Sequence, residues 1–426
     1  MSFDLRLCLT LAVFAATMVC ILTRPWGRHE AWWAAGGGAL MLIGGLETPK
    51  QAWQVTRTGQ DALLFLLSLL ILSALLERSG FFEWASVQAA RLANGSGNRL
   101  YRNVFVLGAL ITATLSLDTT AVILTPVVLA FVSRLKLPPR PYIFACAFVA
   151  NNASLPLPVS NLTNLLFTGA FGLPFAGFFL RMALPQIVAL LLNYALFRRL
   201  FRSELPVKFS SEALPDAKSL VPDQGYFRAA IWVLGLVLVG YFAAPFVHIP
   251  PYAVGFAGCV GLSIFGIKSR RVDLGLAREI SWPVFPFVVG LFVVIGGVEN
   301  LGLTDRIALS LSLLNKHPLL GLLAVSGGAG AASNIVNNIP AALLARSVLE
   351  QAHSGTPLVY GTLLGTNIGP NITLSGSLAT LLVLTAARKK GEDIGALSFL
   401  KIGLLVTPLV LLAATLTLWL TFRLVP

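Results

Sequence analysis

One carboxylate, Asp118, stands in an otherwise apolar stretch, beside Leu117, Thr119 and Thr120 and ahead of Ala121 to Leu124. Holding a charged carboxylate away from water costs several kcal/mol, so such a group gains or loses a proton as its solvation changes. Ionisable residues inside membrane segments mark proton and ion pathways, although an Asp here also suits the N-cap of a helix. Further on, amides and hydroxyls gather at Asn151, Asn152 and Ser154, then at Ser160, Asn161 and Thr163. The second half carries a matching set: Ser333, Asn334, Asn337 and Asn338, then Asn367, Asn371, Thr373, Ser375 and Ser377. Pro156 and Pro158 interrupt the first set, and Gly369 and Pro370 the second. Proline lacks the amide donor and crowds the preceding turn, so each helix should unwind there and free backbone polar groups. Broken helices at corresponding places in two halves point to a solute site, while Ser, Thr and Asn also serve as hydrogen-bonding links between membrane helices.

These clusters contain no Lys or Arg. Hydroxyls and amides without fixed positive charge suit a neutral polyhydroxy solute or a small cation better than an organic anion. Enzyme chemistry is not indicated, because the chain has no nucleophile–base set or phosphate loop. The four cysteines (Cys8, Cys20, Cys146, Cys259) and four histidines are scattered singly, without metal-ligand spacing, so no metal or cofactor is expected.

The elements that must position these groups are membrane helices. The chain has 426 residues, 56% hydrophobic and 12% charged, with mean hydropathy +0.81; soluble domains carry roughly 25% charged residues. Apolar stretches recur from about residue 6 to about residue 422, several reaching the roughly 20 residues that a spanning helix needs. The fold class is therefore an all-α polytopic membrane protein in a lipid bilayer. The first stretch lacks a strongly basic start and a cleavage site and reads as an uncleaved spanning helix. A net charge of +13 fits loops beside anionic lipid and does not indicate nucleic acid.

A polar interruption at 201–226 divides the chain into 1–200 and 227–426. Glu77, Gly80 and Glu83 in the first half correspond to Glu299, Gly302 and Asp305 in the second, and the polar clusters follow in the same order. Segments 103–117 and 119–133, and again 318–332 and 339–350, are each too short to cross a core of ~30 Å. They are expected to form two re-entrant hairpins, at about 103–133 and 318–350, with apices at Asp118 to Thr120 and Ser333 to Asn338. With ten spanning helices besides the hairpins, 23 of the 31 Lys and Arg residues fall on the side of the central loop. Six, among them Arg306 and Lys316, fall on the other. That asymmetry puts the loop in the cytoplasm and both termini outside, with five helices per half and the halves inverted. The loop itself is expected to be a solvated linker.

The runs Glu77 to Ala85, Leu117 to Pro126, Ala153 to Leu162, Val336 to Pro340 and Gly369 to Leu381 resemble the bacterial arsenical efflux pumps of the ArsB type, in register from about residue 60 onward. The resemblance implies an inner (plasma) membrane transporter of the ion-transporter superfamily, built of inverted repeats with two re-entrant hairpins. It implies export of arsenite and antimonite as neutral trihydroxides in exchange for protons, with a cytosolic ArsA-type ATPase as an alternative energy source. Asp118 matches the family's acidic residue in the first hairpin. Three other readings stay open: a sodium/proton antiporter of the same superfamily, a sodium-coupled dicarboxylate or silicate carrier, and a membrane subunit dependent on a partner ATPase.

Overall fold

The computed structural model describes residues 3–210, 214–302, 307–309, 311 and 317–424. Asp305, Arg306 and Lys316, used above for the repeat and the charge count, lie outside the described residues. The first half runs through α1 (Phe3–Thr23), α2 (Glu30–Ile43), the amphipathic α3 (Pro49–Thr58), α4 (Gln60–Arg78) and α5 (Phe81–Arg91). It continues with α6 (Gly97–Thr114), α7 (Leu117–Arg134), α8 (Arg140–Asn152), α9 (Leu162–Ala170) and α10 (Phe175–Leu200). The second half holds α11 (Gln224–Ala243), α12 (Pro251–Lys268), α13 (Leu276–Glu279) and α14 (Val284–Glu299). Then follow α15 (Pro318–Val336), α16 (Asn338–Gln351), α17 (Thr356–Ile368), α18 (Leu378–Lys389) and α19 (Ala396–Leu424).

Eight of these helices are long and apolar enough to cross a membrane: α1, α4, α7, α10, α11, α12, α15 and α19. The expected passes missing from that set are α2, α14 and the two interrupted pairs, α8 with α9 and α17 with α18. Proline and glycine cut each pair into halves of 9 to 13 residues. The hairpin arms are longer than the sequence suggested. α6 and α7 have 18 residues each and α15 has 19, or about 27 Å at 1.5 Å per residue. Arm length therefore does not identify a hairpin; the turn does. The Thr112 and Thr120 hydroxyls, eight positions apart, meet at 2.7 Å, which a continuous helix forbids. In the second half α15 packs against α16 across the single residue Asn337, whose positive φ (80°) stops one helix and starts the next.

Close helix approach comes from small residues. A Cβ on Gly365 would run into the Ser326 carbonyl, and one on Gly369 into the Gly330 backbone. These glycines let the broken helix α17 lie directly on the hairpin arm α15. The central loop is not a free linker. Phe209 N–H donates to Gly95 O at 2.8 Å, Arg91 to Pro215 O at 3.0 Å, Arg271 to Pro222 O at 2.7 Å, and Arg140 pairs with Glu204 at 2.8 Å. Leu205, Leu214 and Ala217 are buried, so the described part of the loop is a strap fastened across helix ends by apolar side chains that its overall polarity masks.

Candidate functional site

The first apex is built by a cap. Ser116, in extended backbone, accepts the Thr119 N–H at 3.1 Å and starts α7. The N-cap is thus Ser116 and not Asp118, and the Asp118 carboxylate is left free of capping duty. Four residues into α7 the hydrogen-bond register slips to a π turn over Thr120–Leu124, because Pro126 has no N–H for the carbonyl four residues earlier. Thr125 spans the slip with a hydroxyl bond to Thr120 O at 2.8 Å. Thr119 is held by Ser73 of α4 at 2.8 Å and by Ser116 at 3.0 Å.

Asp118 itself is half-buried and has no side-chain hydrogen bond or ion pair among the described residues. With Ser73, Thr119, Glu77, Glu279 and Ser281 it lines a cavity of about 60 Å³. That is room for a few waters or one small solute. At the mouth, Arg78 pairs with Glu279 and with Asp273, both at 2.8 Å, which holds the Asp273 carboxyl below its ordinary range. A larger cavity of about 410 Å³ lies at the other end of α14, lined there by Phe292, Ile295, Gly296 and Glu299.

The amide clusters meet one another rather than Asp118. Asn151 donates to Asn371 Oδ1 at 2.8 Å and to Thr380 at 3.0 Å, and Asn371 donates to Asn152 Oδ1 at 2.7 Å. Asn367 Oδ1 receives Ser154 at 2.7 Å and Asn161 at 2.5 Å, while its own amide donates to Asn164 Oδ1 at 3.0 Å. Asn152 also donates to Asn193 of α10 at 2.6 Å. All of these are buried. The two broken helices are thus tied across the halves by a continuous amide network, and most of its hydrogen-bonding capacity is used internally. Asn161 and Ser377 cap α9 and α18, taking the N–H groups of Thr163 and Ala379 at 3.2 Å each.

Around the second apex, Asn334 donates to Gly330 O at 2.8 Å and Gly369 O at 2.7 Å and accepts from Thr373. Asn337 donates to Ser375 O at 3.0 Å, and Ser333 bonds within its own helix. Ser160 donates to Ala113 O at 2.7 Å, joining the first broken helix to the first hairpin. What stays unspent is a short set. Among the described residues the buried Thr163 Oγ1, Asn338 Oδ1 and Asn151 Oδ1 have no partner; the half-buried Thr373 hydroxyl donates to Asn334 Oδ1 at 3.0 Å, and the half-buried Ser375 hydroxyl reaches only Thr373, at 3.5 Å. Sequence reading missed Ser73, Glu77, Glu279, Asn193 and Thr112. Ser73 and Asn193 were visible as polar residues inside apolar helices, whereas the two glutamates are brought to the cavity mouth only by folding.

The family described as arsenical pump membrane protein (ArsB) matches residues 9–422 of this chain. The arsenical pump membrane protein of Escherichia coli (strain K12) is 32% identical over 427 residues, covering 97% of this chain and 99% of that protein. Its Yersinia enterocolitica counterpart is 32% identical over 93% of this chain and 94% of its own length. Among solved structures, the Alcanivorax borkumensis YdaH transporter superposes with a TM-score of 0.58 at 15% identity, covering 97% and 99% of the two chains. Neisseria gonorrhoeae MtrF, described as representing a class of antimetabolite efflux pumps, gives 0.60 at 13% identity over 96% and 94%. Both likenesses are of fold alone; the eight long apolar helices make this a multi-pass membrane protein, and the match along residues 9–422 is to a family of membrane pumps.

Proposed function

Since the chain belongs to the arsenical pump membrane protein family, we propose that it exports trivalent arsenite and antimonite across the inner membrane as neutral trihydroxides, in exchange for protons. The observation that carries this reading is Asp118, a carboxylate without a partner among the described residues, at a hairpin apex and in the wall of a solute-sized cavity. A trihydroxide donates and accepts at each hydroxyl and needs no counter-charge, so it suits the unspent oxygens of Thr163 and Asn338 and the half-buried Thr373 and Ser375. The locked amides Asn151, Asn152, Asn161, Asn367 and Asn371, with the Ser154 hydroxyl, then act as the rigid frame of the site.

Alternating access is supported by the two cavities at opposite ends of α14, beside Val284 at one end and Ile295 at the other, about 16 Å apart along the helix. In this reading the halves are inverted repeats, the central strap is cytoplasmic, and Asp118 is reached from the cytoplasm. Loss of its proton as the solute binds, and regain from the far side, would couple the two flows. The test is uptake of arsenite into everted vesicles holding an imposed proton gradient. Uptake that follows the gradient and stops with an ionophore supports exchange. Uptake that ignores the gradient and requires ATP with a cytosolic fraction would replace exchange by coupling to an ArsA-type ATPase.

A further inference from the structure

The larger cavity holds a second unused acid. Glu47 sits in the turn between α2 and α3, is 1% exposed, and has neither carboxylate oxygen bonded among the described residues. The carboxylate occupies a notch that glycine provides: a Cβ on Gly296 would lie 2.6 Å from Glu47 Oε1. Across the cavity stands Glu299, the last residue of α14.

The other charges here are already engaged or face away. Arg346 of α16 pairs with Glu350 at 2.8 Å. Arg6 of α1 donates to the Leu46 carbonyl at 2.9 Å rather than to Glu47. Lys50 of α3 is exposed, the one acid of α2, Glu30, pairs with Arg24 at 2.9 Å at that helix's other end, and the remaining α3 residues on the cavity are the uncharged Gln51, Gln54, Val55 and Thr58. A buried carboxylate with no cation, beside a second carboxylate, is the arrangement that retains a proton.

We infer that Glu47 and Glu299 form a proton-binding site on the face opposite the central strap, with Glu47 holding the proton and Glu299 setting its affinity. This rests on the exchange reading above, in which protons must board on that face. The site's place supports the assignment. It lies at the opposite end of α14 from the Asp118 cavity, and its acids stand at α14's end and in the turn before α3, much as Glu77 lies in the last turn of α4 and Glu279 ends α13 at the other cavity. Burial, with Glu299 adding to it, pushes the Glu47 carboxyl from an ordinary value of 4.5 up to about 7.

The test labels the purified full chain with an apolar carbodiimide and maps the adducts by mass spectrometry across pH 5 to 9. The reagent takes the proton of a neutral carboxyl on its nitrogen while the carboxylate oxygen bonds to its carbon, and the product rearranges to a stable acylurea. Labelling of Glu47 is expected to be full at pH 5 and half-lost near pH 7. In Glu299→Gln, which keeps the shape of the side chain but removes the charge, the midpoint should fall by about one pH unit. Gly296→Ala should also move it by displacing the carboxylate. Glu47 unlabelled at every pH, or a midpoint indifferent to Glu299→Gln, overturns the proposal. Neither result touches the arsenical reading, which fails instead if arsenite uptake is absent while labelling behaves as stated.

Discussion

The two hairpin tips have similar polar side chains and opposite uses for them. At the first, Ser116 caps the helix and Thr119 is held by its neighbours, so that Asp118 stands free in a cavity wall. At the second, Asn334 and Asn337 are tied to the backbone of α15 and of the broken helix, at Gly330, Gly369 and Ser375. The first tip presents a free acid, whereas the second is mechanically fastened through Asn334 and Asn337 and leaves only the neutral Asn338 Oδ1 over among its described groups. The difference teaches that a buried amide with both its capacities used is structural, whereas a carboxylate with none used is available for exchange.

Removing the carboxylate should have the largest effect. Asp118→Asn is expected to lower gradient-driven arsenite uptake by at least about tenfold, the scale of one lost interaction of ~1.4 kcal/mol or more, with little change in thermal stability; a paired transport and melting measurement checks it. The fastened side should behave in the reverse way. Asn367→Ala removes the acceptor of Ser154 and Asn161 and the donor to Asn164, leaving buried groups unpaired at about 1–3 kcal/mol each. Its unfolding midpoint in detergent should drop clearly. Asn334→Ala, which frees Gly369 O and the Thr373 N–H, should do the same to a smaller degree in the same assay. If Asn334→Ala melts as the parent does but loses uptake, Asn334 serves the solute and not the framework, and the contrast between the tips fails.

The fold was legible because membrane helices announce themselves by length and hydropathy, and Pro156, Pro158, Gly369 and Pro370 mark the breaks through a missing donor or a missing Cβ. The arm lengths were not legible. Arg99 and Arg102 begin α6 as polar residues that a hydropathy reading trims away, although the helix starts at Gly97. The acid at the first tip was evident from residue type alone. The division of the amides into framework and unspent groups was not, since Asn367 and Asn161 are 206 positions apart and meet only through the fold. Glu47 was passed over for the same reason: its lack of partners and its glycine notch are properties of packing, not of the local sequence.

The smallest expected effect concerns pH. Between pH 4.5 and about 7 the folded state binds more protons than the unfolded one at Glu47, so stability contributed there falls as pH rises through that window. The parent's melting midpoint should therefore decline more steeply from pH 5 to 8 than that of Glu47→Gln, read in parallel scans.

The central claim is that arsenite and protons exchange through Asp118. The most direct measurement follows lumenal pH in acid-loaded everted vesicles when arsenite is added to the bath. The account predicts prompt lumenal alkalinisation with the parent chain and none with Asp118→Asn at equal protein content. Alkalinisation of the same rate and extent in the two would contradict it.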